Sequence, residues 1–215
     1  EWKYLKKHPQ MAVSETLLRY LYVRTLCGLK PDAVATHLLE RAKGEKKRLT
    51  MYGKGVMAQV LAEAAATGAL PRQLTADCIV AADEAMQSLV EHTVVSPVMG
   101  RYFDTDRALM SQDSYRIPTQ TMALEALANK TLQQGEGWTA GQDIPTLQRE
   151  MQLWLLQSKR TQQWESRRAT ADATYALLVG YGKEAEQFQH LGDEAHRLWT
   201  LTPEETAKAI RADAY

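Results

Sequence analysis

The chain has 215 residues, 45% of them hydrophobic, and its 26 basic residues balance its 26 acidic ones. This length suffices for one domain with a substantial core, and the charge balance argues against a nucleic-acid-binding surface or an affinity for anionic membranes. No apolar run approaches the roughly 20 residues that a membrane span requires. The start, EWKYLKKHPQ, lacks the apolar segment of a signal peptide and does not begin with Met, so we expect a piece of a longer protein.

Apolar residues recur with a helical period along most of the chain, which predicts an all-α fold. Proline suits the first turn of a helix, and glycine suits the residue that follows its end, as at Gly44 and Gly68. Because the connections are short, neighbouring helices are expected to run antiparallel, as helical hairpins. The predicted helices begin near Pro31, Met51, Leu74, Pro118, Pro145 and Ala171, and a capping box at Thr202 to Glu205 begins the last one.

Two segments interrupt the helical pattern. Val94 to Ile117 is too long for a simple turn, and Gln133 to Asp143 is rich in glycine. Only a brief extended piece near Val94 or Tyr102 is predicted outside the helices. The most exposed candidates for interaction surfaces are the loops Tyr102 to Asp113 and Gly135 to Gly141.

The sequence contains no phosphate-binding loop, HExxH, CxxC or GxSxG motif. The histidines are scattered, so surface or helix-capping roles are expected for them rather than metal binding. We therefore predict no catalytic, cofactor-binding or metal-binding residue and expect the domain not to be an enzyme. The five histidines are His8, His37, His92, His190 and His196.

Three acidic residues, Asp104, Asp106 and Asp113, lie close together in the longer interruption. Helical toroids include glycosidases that use two carboxylates, so a carbohydrate-active enzyme stays open as an alternative. Such enzymes line their clefts with aromatic residues, whereas only 7% of this chain is aromatic. Aspartates that form turns and cap helices are the better explanation.

The two cysteines, Cys27 and Cys78, each lie within an apolar helical pattern. Cysteines in this setting are expected to be reduced, buried and hydrophobic in character rather than paired in a disulfide. They indicate little about the compartment in which the protein resides.

The segment KRTQQWESRRATADATYALL is predicted to connect two helices. Thr161 to Arg168 would be the connector, Thr170 the N-cap of the second helix, and Asp172 part of its first turn. Trp164 is expected to pack over the joint as a hydrophobic plug. This structural role explains the residues of the segment without invoking substrate binding.

The longer string LWLLQSKRTQQWESRRATADATYALL resembles a segment in the thioester (complement-like) domain region of bacterial alpha-2-macroglobulin family proteins. The segments ETLLRYLYVRTL, MYGKGVMAQVLAEA and YRIPTQTMALEAL are also similar to that region in order and spacing. The matching residues in the string are Trp154, Leu155, Leu156, Lys159, Thr161, Gln162, Trp164, Ala169, Thr170, Ala171, Asp172, Ala173, Tyr175, Ala176, Leu177 and Leu178.

The resemblance implies an α/α toroid, in which inner and outer helices alternate around a central axis. Such a ring usually needs more residues than are present, so an incomplete toroid is expected, as a single domain over residues 1–215 within a larger multidomain protein. An α-solenoid scaffold, whose ends stay apart, is the architectural alternative.

The resemblance also implies protease trapping, with target proteases and other domains of the same chain as partners and a periplasmic or cell-envelope location. In thioester-bearing members, the Cys and Gln of a CxEQ-type motif form an internal thioester that captures the protease. The surroundings of Cys27, LCGLKP, and of Cys78, ADCIVA, lack the Glu-Gln that should follow. No residue of this segment is therefore expected to form a thioester.

Overall fold

The structure is a computed structural model that describes residues 2–8, 11–104, 116–159 and 164–181. The described residues are mostly helical, with one pair of short strands, which confirms the all-α prediction. Two short 3₁₀ helices, Lys46–Arg48 and Leu132–Gln134, lie in connections. The other elements are α1 (Trp2–Lys7), α2 (Glu15–Leu26), α3 (Ala33–Ala42), α4 (Met51–Ala66), α5 (Arg72–Glu91), β1 (Val94–Ser96), β2 (Gly100–Tyr102), α6 (Arg116–Ala128), α7 (Glu136–Thr139), α8 (Ile144–Gln157) and α9 (Arg167–Tyr181).

Short polar side chains begin several of these helices. Each accepts a hydrogen bond from a backbone N–H three residues further on, which satisfies a donor that has no partner within the helix. The capping residues are Ser14 for α2, Asp32 for α3, Thr50 for α4 and Asp143 for α8.

Two of the predicted helix starts need correction. Pro31 does not occupy the first helical position, because Asp32 is the N-cap and α3 begins at Ala33. Pro118 does not begin α6, which starts at Arg116, so the proline lies within the first turn. Proline is tolerated there because N–H groups of the first turn need no partner within the helix. Pro145 is the second residue of α8, which begins at Ile144, so the predicted start is one residue late.

Helix α4 is buried on nearly all sides and packs against α2, α5 and α6. A Cβ atom added at Gly55 would lie 2.8 Å from Met122 Cγ, so the glycine lets α4 and α6 approach closely. Polar side chains in such a helix need partners, and Lys54 Nζ accordingly donates to Ser88 Oγ of α5 at 2.9 Å. Helix α6 is buried to a similar extent and also packs against α8.

The two strands pair antiparallel, with Val94 opposite Tyr102. This confirms the extended piece predicted there, although the pairing itself was not expected. The hairpin packs on α8, because the Tyr102 ring stacks on Trp154 with the ring centroids 5.8 Å apart. Gly100 has a φ of 80°, and a Cβ atom at this position would collide with the backbone carbonyl of Glu150.

Trp138 is packed rather than presented to solvent, whereas its neighbours Glu136, Gly137, Ala140 and Gly141 are exposed. Trp138 is buried, and its indole N–H donates to the Leu132 carbonyl at 2.8 Å. Its backbone N–H donates to Asp83 Oδ1 of α5 at 3.1 Å. The aromatic residue of the predicted interaction loop, Gly135 to Gly141, is therefore part of the core.

Trp164 packs at the joint between α8 and α9, as predicted. Its side chain is 6% exposed, and its indole N–H donates to the Leu155 carbonyl at 2.8 Å. The predicted N-cap is wrong, because α9 begins at Arg167 and Ser166 Oγ accepts the N–H of Ala169 at 3.1 Å. Asp172 consequently lies in the second turn of α9 rather than the first.

The chain divides into two compact units, Glu1–Gly180 and Tyr181–Tyr215. Nearly all described residues belong to the first unit, and the helix predicted from Thr202 lies outside them. A single domain over residues 1–215 stays a prediction. Within the described ranges, none of the helices is both long and apolar enough to cross a membrane.

Replacement of Gly100 by alanine is expected to destabilise the fold more than replacement of Gly28. Gly28 also has a positive φ, of 66°, but an added Cβ atom there meets nothing within 4 Å. Gly28→Ala should therefore cost only the backbone strain, about 1–2 kcal/mol. Gly100→Ala should cost a further 1–3 kcal/mol, roughly, through the collision with α8. Urea unfolding measures both, and equal losses would contradict this packing.

Two replacements of Trp164 should separate the contribution of its apolar packing from that of its indole hydrogen bond. Trp164→Ala is expected to lower the free energy of unfolding by about 3–5 kcal/mol, because it removes a large buried side chain. Trp164→Phe keeps most of the apolar contact but leaves the Leu155 carbonyl without its donor, which costs about 1–3 kcal/mol. A Trp164→Phe variant as unstable as Trp164→Ala would mean that the ring does not fill the joint.

Candidate functional site

A hydrogen bond between two side chains joins α2 and α6 inside the fold. The Tyr22 hydroxyl donates to Glu125 Oε2, with 2.5 Å between the oxygen atoms. Glu125 lies in α6 among apolar residues, and its exposed fraction is 6%. Carboxyl groups are rarely this buried unless a partner compensates for the lost hydration. The Tyr22–Glu125 pair is therefore the centre of the candidate site.

Burial raises the pKa of Glu125 to about 7, and the charge of Asp172 acts in the same direction. The hydrogen bond from Tyr22 opposes the increase because it stabilises the carboxylate. Burial also raises the pKa of the Tyr22 phenol, with a further increase from the charge of Glu125. The phenol therefore keeps its proton, and Glu125 is the group of the pair that titrates near neutral pH.

Residues of α2, α4 and α9 surround this pair. The Arg19 guanidinium carbon lies 4.8 Å from the centre of the Tyr52 ring, which is cation–π geometry. Burial raises the pKa of the Tyr52 phenol, and the charge of Arg19 opposes this increase. Burial likewise raises the pKa of Asp172, while the charges of Arg168 and Arg19 lower it. An acid of α9 thus lies within electrostatic reach of a base of α2.

Tyr175 forms the outer part of the site. Its side chain is 45% exposed, but partial burial still raises the pKa of its phenol, and the charge of Glu125 adds to the increase. Tyr175 also contributes to the raised pKa of Tyr22. The three phenols and two carboxyls therefore interact with one another. We call this group the tyrosine–acid cluster; its members are Arg19, Tyr22, Tyr52, Glu125, Asp172 and Tyr175.

Exposed apolar side chains follow members of the cluster at helical spacing on both α2 and α9. Residues three or four positions apart share one face of a helix. Val23 follows Arg19 and Leu26 follows Tyr22 at this spacing, while Leu178 and Val179 follow Tyr175. All four are at least one-third exposed. We call Val23, Leu26, Leu178 and Val179 the apolar margin of the cluster.

The cluster can exchange a proton near neutral pH and can present phenol rings beside a carboxylate. Both features suit the recognition of a positively charged group. Among the described residues, no three or more His, Cys, Asp or Glu side chains come together in a way that could hold a metal ion.

Two cavities lie away from the cluster. One of about 120 Å³ is lined by residues of α2, α3 and α4, including Arg24 and Glu63. Arg24 pairs with Asp32 at 3.0 Å, and Glu63 accepts a hydrogen bond from Asn129 at 2.9 Å. The other, of about 250 Å³, lies beside Trp138 and is lined mainly by small apolar side chains. The charged residues of the first cavity thus serve structural contacts.

Of the three aspartates that suggested a glycosidase, the structure describes only Asp104. Its side chain is 69% exposed and lies 3.7 Å from Arg116, with which it forms a surface ion pair. Asp106 and Asp113 lie outside the described residues, as does most of the loop from Tyr102 to Asp113. No pair of catalytic carboxylates is therefore assembled among the residues described around Asp104.

Helix-capping roles are confirmed for two histidines. The Nδ1 atom of His8 lies 2.8 Å from the Tyr4 carbonyl oxygen, and that of His92 lies 2.7 Å from the Ser88 carbonyl oxygen. Both rings thus lie against the C-terminal turn of a helix, where carbonyl groups lack partners within the helix. His37 is partly buried in α3. The remaining two, His190 and His196, lie outside the described residues.

The cysteine prediction holds for one residue and fails for the other. Both thiols are free, and Cys78 is buried in α5, where burial raises the pKa of the thiol to about 11. Cys27 was expected to be buried but is exposed. It follows the last residue of α2 and precedes Gly28, so its side chain lies beyond the packed part of the helix.

Sequence patterns alone did not identify Tyr22, Glu125 or Tyr175. A signal was present, because Glu125 is a lone acid in the apolar run MALEALA. A carboxyl at a core-facing position requires a partner, so its position could have marked a polar site. The identity of that partner could not be inferred, since Tyr22 lies about a hundred residues earlier in the chain.

No model of a known protein family, no curated protein and no solved structure matches this chain. The similarity of the string from Leu153 to Leu178 to alpha-2-macroglobulin family proteins therefore stays a prediction.

The raised pKa of Glu125 predicts a characteristic pH dependence of stability. A carboxyl whose pKa rises on folding favours the folded state below its ordinary pKa, and this contribution is lost as the pH rises through the folded value. The free energy of unfolding should therefore decline between the ordinary value of 4.5 and about 7. The contribution of Glu125 to this decline is roughly 3 kcal/mol.

Chemical unfolding of wild type and Glu125→Gln across this pH range measures the effect. The difference between the two stability curves should change with pH as described, because glutamine does not titrate. Glu63→Gln is the matched control, since Glu63 is a partly buried carboxyl with one side-chain partner, Asn129. A difference curve for Glu125→Gln that does not change with pH would contradict the raised pKa.

Proposed function

We propose that the chain is a non-catalytic helical domain of a bacterial alpha-2-macroglobulin-like protein of the cell envelope. In this role it contributes to protease inhibition by trapping, together with other domains of the same polypeptide. The proposal includes a fold that curves as part of an α/α toroid.

The order of helix packing supports the curved arrangement. Helices α2, α4 and α6 pack side by side, whereas α3 contacts α5, as expected for alternating inner and outer rows. Asp172 of α9 lies within electrostatic reach of Arg19 of α2. The row of α2, α4 and α6, with α3 against α5, is the observation that best supports the proposal.

The structure of the segment that carries the resemblance is a second support. Its residues form the end of α8, the joint with Trp164, and α9. Buried members of the matching set, such as Leu155, Ala173 and Ala176, face the core. The resemblance thus involves residues that specify how two helices meet, which agrees with a structural and interaction role.

Neither cysteine is suited to thioester formation. Cys78 is buried with a raised pKa, which disfavours the thiolate, and Cys27 is exposed, whereas a thioester must be kept dry until it is triggered. Covalent capture, if the polypeptide performs it, is therefore assigned to residues outside this segment.

The natural polypeptide that contains this segment is expected to inhibit proteases according to substrate size. After cleavage by a target protease, hydrolysis of a large protein substrate should slow, while hydrolysis of a small peptide should continue, because trapping leaves the active site open. Parallel rate measurements with the two substrates test this. The variants Cys27→Ser and Cys78→Ala should inhibit as wild type does.

Equal loss of hydrolysis of the large protein and of the small peptide would indicate an inhibitor that blocks the active site. Unchanged hydrolysis of both substrates would contradict protease trapping. Hydrolysis of a polysaccharide that is abolished in Asp104→Asn would instead support the carbohydrate-active alternative. Loss of inhibition in Cys27→Ser alone would contradict the assignment of covalent capture to other residues.

A further inference from the structure

We propose that the cavity of about 250 Å³ beside Trp138 binds a small organic cation, namely a primary ammonium group on a compact apolar body. The ammonium group would lie against the carboxylate of Asp83, and the apolar body would lie against the small side chains of α4 and α5. This inference goes beyond the proposed function and does not depend on protease trapping.

Three parts of the chain form the cavity: α4, α5 and the segment from Thr131 to Trp138. Its rim includes the exposed residues Ala66, Ile79 and Gln134, so a small molecule can enter from solvent. Its floor is apolar and buried. The buried residues that line it are Ala62, Ala65, Ala82, Leu132 and Trp138.

The size of the cavity suits a small molecule. An apolar cavity of about 150 Å³ is large enough for benzene. A cavity of about 250 Å³ therefore holds a body of about six carbon atoms together with a polar group. Because several of its walls are alanines, the side chains of the protein itself leave this space open.

The charge in the cavity selects a cation. Among the described residues that line it, Asp83 carries the one charge. Its Oδ1 atom accepts the backbone N–H of Trp138 at 3.1 Å, and no basic side chain of the described residues pairs with it. Asp77, which lies earlier in the same helix, pairs with Lys43. A carboxylate that borders apolar walls without a basic partner favours the binding of an ammonium group.

Two glycines hold the chain against this carboxylate. A Cβ atom at Gly135 would lie 2.6 Å from Asp83 Oδ1, and one at Gly137 would collide with Oδ2. The segment that carries Trp138 can therefore lie directly on Asp83, and the indole N–H fixes the ring through its hydrogen bond to the Leu132 carbonyl. Indole rings attract cations more strongly than other aromatic rings, which adds to the preference for a positive charge.

The cavity of about 120 Å³ between α2, α3 and α4 has no comparable preference. Its Arg24 pairs with Asp32 at 3.0 Å, and its Glu63 accepts a hydrogen bond from Asn129. Both charged groups already have partners within the fold. The cavity beside Trp138 is therefore the one whose described lining specifies the charge of a ligand.

The test uses cyclohexylammonium chloride as the probe and the complete chain as the receptor. The indole N–H signal of Trp138 reports binding by NMR, and Trp138→Phe identifies that signal among those of the five tryptophans. The dissociation constant of cyclohexylammonium should be about tenfold lower than that of cyclohexanol, which has the same ring without the charge. N-acetyl-lysine methylamide carries the same ammonium group on a peptide backbone, and it should bind more weakly because that backbone does not fit the cavity.

The variants identify the residues responsible. Asp83→Asn keeps an oxygen that can accept the Trp138 N–H, and it should weaken cyclohexylammonium binding by about tenfold while leaving cyclohexanol unchanged. Asp77→Asn, the matched control on the same helix, should bind as wild type does. Ala66→Leu places a larger side chain at the exposed rim and should weaken both probes roughly tenfold. Because Ala66 is exposed, this variant tests the cavity even if Asp83→Asn unfolds.

Equal binding of cyclohexylammonium and cyclohexanol would overturn the proposal, as would equal effects of Asp77→Asn and Asp83→Asn. A Trp138 signal without a saturable shift would exclude the cavity as a binding site. Tighter binding of the lysine derivative than of cyclohexylammonium would overturn the assignment to a small molecule and indicate a lysine of another protein. No protease takes part in these measurements, so their failure is distinct from a failure of the substrate-size test.

Discussion

The burial of α4 and α6 at the centre of the fold is the constraint on which the other features depend. A helix surrounded by other helices must be apolar on all sides or must pair each polar group that it carries. Gly55 lets the two helices approach, and Lys54 is satisfied by Ser88. Glu125 is the most demanding residue in this core, because a carboxyl loses more hydration energy than an amide or hydroxyl.

The interactions of buried Glu125 reach from the core to a partly exposed residue. Its hydrogen bond to Tyr22 ties α2 to α6 across α4, and its charge reaches Tyr175 on α9. The need of a buried carboxyl for a partner thus connects residues of α2, α6 and α9. The carboxyl titrates near neutral pH because one hydrogen bond offsets only part of the cost of its burial.

The proposed function combines a predicted resemblance with features of the structure. The predicted resemblance to alpha-2-macroglobulin family proteins implies a helical domain that works through contacts with other proteins. The tyrosine–acid cluster links buried Glu125 to partly exposed Tyr175, and exposed apolar residues follow its members at helical spacing on α2 and α9. Asp104, by contrast, forms a surface ion pair with Arg116.

Local sequence determined the helices, the capping of α8 at Asp143 and the packing of Trp164 at a joint, because hydrophobic period, turn residues and caps act over a few positions. The starts predicted for α3, α5, α6 and α9 differ from the observed ones by two to four residues, since several neighbouring residues can serve as the cap. Only the tertiary structure decided that Cys27 is exposed, that Trp138 is buried and that Tyr22 meets Glu125. These outcomes depend on contacts between distant segments, and no local pattern encodes which distant segment a side chain will meet.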